Sequence, residues 1–192
     1  MFLISMPFEH GFKFGVSLGV GICSMLGTSV ALAAPAPVFS SVLEEISPSA
    51  TTVHPVRLPT TVPSDIELHP SIFQDPLPDG LFMLRLDTEP DCSAIDCVAM
   101  GIVITAESPN WPPEDKQLTA VELGNGIQGY EVVSSVGGLG FGSVQWTQDE
   151  SLYALSYKLD IFTTEDAIAM AASMASEPPF ATSQLPSPKP HL

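Results

Sequence analysis

Between Leu152 and Ile161 the odd positions Tyr153, Leu155, Tyr157, Leu159 and Ile161 are apolar or aromatic, while Ser156, Lys158 and Asp160 fall on even ones. A period of two predicts a half-buried strand. Just upstream Val144 and Trp146 flank Gln145, and the polar stretch Thr147–Ser151 suits a four- or five-residue hairpin connection, so an antiparallel pair is expected. Then the period changes. Thr163 stands three residues before Asp166, a capping-box spacing with Asp in place of the preferred Glu, and Ala167, Met170, Ala171 and Met174 make one apolar stripe. These signals predict a helix over 164–176, stopped at Pro178 and Pro179, neither of which supplies an amide.

Earlier strand candidates are Leu81–Asp87, Val98–Ala106, Leu118–Leu123 and Ile127–Ser134, with Gly124-Asn125-Gly126 supplying the positive φ of a hairpin turn. The glycine-rich run from Val136 to Gly142 reads as a flexible lead into the Trp146 strand. The order predicts an α+β fold, a mostly antiparallel sheet of about five or six strands with one C-terminal helix packed on one face. That domain is assigned to residues 80–176. Residues 34–79 are rich in Pro, Ser and Thr and read as a linker or a strap over the domain, with one helical turn near Val42–Ile46 and Val56-Arg57-Leu58-Pro59 expected to touch the core. Residues 177–192 carry five prolines and read as a disordered tail.

Composition adds a compartment. Phe14–Ala34 is a near-continuous run of apolar and small residues, preceded by Lys13 and closing on Ala31-Leu32-Ala33, so residues 1–33 read as a signal peptide and the product as periplasmic or secreted. The alternative is an uncleaved N-terminal membrane anchor, since the run is about long enough to cross a ~30 Å hydrocarbon layer. The residue before Cys23 is Ile22, which disfavours lipid modification. Cleavage removes Glu9 and Lys13 alone among charged residues, leaving the net charge at −16. Nucleic acid and anionic lipid both require clustered Lys or Arg and are excluded as partners, and no stable membrane insertion is expected after cleavage.

The chemistry-bearing residues are few. Cleavage would leave Cys92 and Cys97 as an even pair in an exported chain, read as a structural disulfide. Asp87, Glu89, Asp91 and Asp96 gather around that turn as candidate calcium ligands, although they lack the glycine and terminal Glu of an EF-hand loop. No transition-metal site and no cofactor are expected. No window of the glycine-rich run fits G-x-G-x-x-G, and Ser143 lacks the nucleophile-elbow pattern. His54, His69 and His191 all fall outside 80–176, so a Ser-His or Cys-His mechanism has no base within the assigned domain. Trp111, set among prolines, and Gly138, Gly140 and Phe141 are the candidate contact surface, whereas Trp146 is expected in the core.

Pro90-Asp91-Cys92 with Cys97, Gly126-Ile127-Gln128-Gly129-Tyr130, Val144-Gln145-Trp146, Tyr153-Ala154-Leu155 and the closing Ala-Met helix resemble a group of uncharacterised exported cyanobacterial proteins. The later part is also similar to extracytoplasmic domains of unknown function found beside bacterial anti-sigma factors. Coverage is about 80–176, and the resemblance implies a fold without implying a reaction. The expected function is a non-enzymatic exported binding or interaction module with a protein or cell-envelope partner. The alternatives are a small extracytoplasmic hydrolase-like enzyme or a carrier for an apolar ligand.

Overall fold

A computed structural model of the chain describes residues 34–46, 54–73, 81–92, 94–108, 110–113, 118–136 and 138–180. The leader assigned to 1–33, most of the C-terminal tail and His191 lie outside them. Among the described residues seven strands, β1 (His69–Ile72), β2 (Phe82–Asp87), β3 (Val98–Ala106), β4 (Thr119–Glu122), β5 (Gln128–Val136), β6 (Leu139–Gln148) and β7 (Ser151–Lys158), precede one α-helix, α1 (Thr164–Ser176). They form a single antiparallel sheet in the order β1-β2-β3-β7-β6-β5-β4. The fold is therefore α+β as the patterning predicts, with one strand more than expected. The extra strand is β1, whose Pro70 hides its extended character. Proline is tolerated there because β1 is an edge, with one side of its backbone free of any ladder.

Strand alternation sorts the sheet into two unlike faces. Leu84 and Leu86 of β2, Ile102 and Ile104 of β3, Val144 and Trp146 of β6, and Tyr153, Leu155 and Tyr157 of β7 all point one way and are buried. A bulge opposite Leu86/Asp87 adds one residue to β3, so Ala99 and Met100 are both buried. On this face α1 lies against β6 and β7, presenting Ala167, Met170, Ala171 and Met174, the stripe that its period predicts. The helix start is as read from the sequence: the Asp166 amide donates to Thr163 Oγ1 at 3.1 Å and the Thr163 amide to Asp166 Oδ2 at 3.0 Å.

The rest of the covered face is closed by the segment before β1. Short 3-10 turns at Pro37–Phe39 and Leu43–Glu45 bring Phe39, Val42 and Ile46 into the core, and Val56 and Leu58 follow. Residues 36–46 and 54–58 are thus part of the domain's packing. Their apolar residues are separated by prolines and polar residues with no period, because an irregular strap meets the core wherever its turns allow. Beyond the helix the Phe180 amide donates to Val56 O at 2.7 Å and its ring is buried, so the chain stays docked four residues past the last helical residue.

Two connections are tighter than the polar spacing suggests. β6 and β7 are joined by Asp149 and Glu150 alone, both at positive φ (51° and 60°), the geometry of a type I′ turn formed without glycine. β5 and β6 are also a hairpin, and Leu139–Gly142 belong to the β6 ladder where a flexible lead was expected. Gly142 has a packing reason to be there. A Cβ at that position would lie 2.6 Å from Tyr157 Cε1 and closer still to Cζ and the hydroxyl, so the tyrosine ring lies flat over β6 only because residue 142 has no side chain.

Candidate functional site

Among the described residues the opposite sheet face carries no α-helix and no strap, only the 3-10 turn Ile95–Cys97 and the Trp111 loop at its borders. Residues that face this way include Arg85 of β2, Gly101, Val103 and Thr105 of β3, Ser156 of β7, Ser143, Gln145 and Thr147 of β6 and Tyr130 of β5, all of intermediate exposure. Two clefts open on it.

The first, of 330 Å³, is lined by Trp111, Pro112, Gly126, Ile127, Gln128, Tyr130 and Thr147. The loop after β3 turns back at Ser108, whose carbonyl accepts from the Trp111 amide at 3.1 Å. This sets the Trp111 ring edge-to-face against Tyr130, centroids 6.1 Å apart and planes at 80°. The floor comes from the β4–β5 hairpin, closed by Leu123 N to Ile127 O and Ile127 N to Gly124 O, both 2.9 Å.

The second, of 230 Å³, is lined by Ile95, Val98, Gly101, Ser134, Phe141, Gly142, Ser143 and Ser156. Gly101, Ser156 and Ser143 occupy one register row, so three neighbouring strands present small residues side by side and leave a trench. Phe141 forms one wall. Ile95 forms the rim, 56% exposed and held there by the Cys92–Cys97 disulfide, while Lys158 Nζ donates to Asp96 O at 3.2 Å from the sheet. The disulfide thus has a local consequence: it fixes the loop that borders this trench.

Of the candidate contact residues, Trp111 and Phe141 line the two clefts. Positions 147 and 141 of β6 bracket the separation, six residues or about 20 Å of strand. Gly138 sits at the β5–β6 turn with φ 83°, and Gly140 lies in β6 against the Leu159 side chain. The candidate calcium ligands are distributed otherwise. Asp87 is buried in β2 and accepts from Arg85 Nη2 at 2.6 Å and Nε at 3.3 Å. Among the described residues, metal-ligand atoms gather only at Glu89, Cys92 and Cys97, where the two sulfurs are bonded to each other.

A histidine does enter the domain, contrary to the expectation drawn from the 80–176 boundary. His54 is 6% exposed, with Nδ1 3.2 Å from Ser151 Oγ. The serine hydroxyl in turn donates to Asp149 O at 3.4 Å. Where the serine proton is given to Asp149 O, Ser151 Oγ accepts from His54 Nδ1–H, which is the reverse of the polarity that activates a nucleophile. Ser151 is also 1% exposed, so no substrate reaches it. Beside this pair Arg57 donates to Asp149 Oδ2 at 2.7 Å, to Met174 O at 3.4 Å and to Glu177 O. Tyr153 donates its hydroxyl to Pro55 O at 2.7 Å, and burial, partly opposed by Arg57, pushes that phenol above its ordinary pKa. The cluster fastens the strap to the helix end and to the β6–β7 turn.

At the other helix end, Glu131 Oε1 accepts from Thr164 Oγ1 at 2.8 Å and from Tyr157 OH at 3.2 Å. Burial raises the Tyr157 pKa, the Thr164 bond opposes this, and the Glu131 charge adds to it.

Gln128, Tyr130, Thr147 and Ile95 join the candidate site only in the folded protein. Each stands alone in sequence, and the one local signal was the out-facing phase of Tyr130 and Thr147 relative to Trp146. No protein-family model, no curated protein and no solved structure matches the chain.

Proposed function

We propose that the protein is an exported, non-enzymatic binding module that engages a component of the cell envelope through the open face of its sheet. The observation that carries this reading is the asymmetry of the two faces. One is sealed by helix and strap, whereas the other holds two clefts walled by Trp111 and Tyr130 at one end and by Phe141 and Ile95 at the other. Among the described residues neither cleft is lined by an acidic, basic, histidine or cysteine side chain. The Tyr130 phenol is the one titratable side chain in either described lining and has no second such group beside it there, which supports recognition over acid–base or nucleophilic chemistry built on paired groups. Between sheet and helix the space is occupied by Trp146, Tyr153, Tyr157, Met170 and Met174, all fully buried, which favours a surface site over an internal carrier cavity. The leader and the small, disulfide-bearing domain support the exported setting.

The test is retention of envelope material on the immobilised protein, compared among wild type, Trp111→Ala, Phe141→Ala and Glu165→Gln on the exposed side of the helix. Loss of retention in either open-face variant with Glu165→Gln unchanged is expected. Retention that no open-face substitution alters would overturn the reading.

A further inference from the structure

The chain contains two tryptophans and three tyrosines. Three of these five are fully buried, and their polar atoms have partners: Trp146 Nε1 with Gln148 Oε1, Tyr153 with Pro55 O, and Tyr157 with Glu131. The remaining two, Trp111 and Tyr130, are only partly buried, and they meet each other at the 330 Å³ cleft. Packing accounts for the first three. It does not account for an aromatic corner left open to solvent with Gln128 and Thr147 at its edge.

We infer that this corner is a subsite for a neutral saccharide unit, an inference that rests on the binding-module reading and names its ligand class. A pyranose ring has an apolar C–H face and a rim of hydroxyls. Rings crossing at 80° offer one aromatic face to stack on and a second to close the side. Gln128 brings an amide that both donates and accepts, and Thr147 a hydroxyl that does the same, the pairing that sugar hydroxyls require. Charge restricts the class further. Among the described residues no acidic or basic side chain lines the cleft, so neither an anionic sugar, a phosphate nor an amine finds a counter-charge in that lining. The volume lies at the low end of the range for small-ligand sites, about 300–1,000 Å³, which suits one ring of a longer chain. A polyproline segment, the other ligand of aromatic grooves, is better served by a flat track of rings than by a perpendicular corner.

The experiment is calorimetric titration of the purified protein with cellotetraose, maltotetraose and tetra-N-acetylchitotetraose, alongside decaproline. At least one oligosaccharide is expected to bind with Kd of about 1 mM or tighter. Trp111→Ala and, independently, Gln128→Ala are each expected to weaken it at least about tenfold, while Phe141→Ala in the other cleft leaves it unchanged. Gln128 is exposed, so its variant tests the site even if the Trp111 loop rearranges. No binding by any of the three, or binding indifferent to both Trp111 and Gln128, would overturn the inference. Trp111-dependent binding of decaproline alone would overturn the saccharide class and leave the binding-module reading standing. That reading fails separately, through the envelope-retention comparison.

Discussion

Gly142→Ala is a one-carbon change with a large expected effect. The added Cβ would sit 2.6 Å from Tyr157 Cε1 and nearer to Cζ and the hydroxyl, so the ring has to leave its place over β6. Overpacking of this kind typically costs about 1–3 kcal/mol. Moving the ring also breaks the hydroxyl contacts to Glu131 at 3.2 Å and Thr164 at 3.0 Å, worth roughly 1 kcal/mol net. The expected destabilisation is therefore about 2–4 kcal/mol, a Tm loss of roughly 5–15 °C for a domain of this size. Urea unfolding followed by tryptophan fluorescence measures it, since Trp146 stacks on Tyr153 in the adjoining core at 5.2 Å. A double-mutant cycle with Tyr157→Leu isolates the cause, because the leucine has no ring to collide with the new methyl group. Coupling of at least about 1 kcal/mol is expected, with Gly142→Ala becoming nearly harmless in the Tyr157→Leu background. A cost under about 0.5 kcal/mol for Gly142→Ala alone, or strict additivity of the two changes, would refute the reasoning.

Arg57→Met keeps the aliphatic stem but removes the donors to Met174 O, Glu177 O and Asp149; with Asp149 half exposed, a loss of about 2 kcal/mol in urea-derived stability is expected. Reduction of Cys92–Cys97, or the Cys92→Ser/Cys97→Ser pair, is expected to lower stability by about 2 kcal/mol for so short a loop, read as the urea midpoint with and without a dithiol reductant. Glu150→Gly places glycine at φ 60° in the β6–β7 turn and is expected to raise Tm, by roughly 0.5–1 kcal/mol of stability after glycine's own entropy is set against the relief. The Tyr153 and Tyr157 phenols are raised in the folded protein, so the stability they contribute is complete below about pH 10 and falls as pH rises through their folded-state values. Urea midpoints between pH 9 and 11 check this, and Tyr153→Phe should flatten the decline.

Local order was legible wherever one residue's role is set by its neighbours in sequence. The alternation from Tyr153 to Tyr157 and the Thr163/Asp166 box depend on spacings of two and three, and both appear in the fold, although β7 ends at Lys158 and the expected strand residues Leu159 and Ile161 fall in the turn before the helix. What was not legible depends on distant chain. Phe39, Val42 and Ile46 look like isolated apolar residues in a proline-rich stretch, and their burial is decided by a sheet that begins more than 20 residues later. His54 follows the same rule, since its partner Ser151 is 97 positions away. The two-residue β6–β7 turn is hidden in the sequence because Asp149 and Glu150 are not the residues that favour two successive positive φ values. Trp111 was singled out by its proline setting, but Tyr130 gave no sign of being its partner, because the pairing depends on how the β3–β4 connection folds back.

Arg57 reaches Met174 O and Glu177 O across 117 and 120 positions, and Val56 receives Phe180. During synthesis the strap is therefore made first and finds its binding surface last, when the helix and the residues just after it have been added. Contacts of such range are slow to form, because the intervening chain must be closed before they repay the loss of freedom. A growing chain that stops short of Thr163 leaves Val56, Arg57 and Thr60 without their partners at Phe180, Met174, Glu177 and Ser173. Such a truncated chain is expected to remain protease-sensitive over 54–60 while the full chain resists cleavage there, and equal resistance in the two would show that the strap docks before the helix exists.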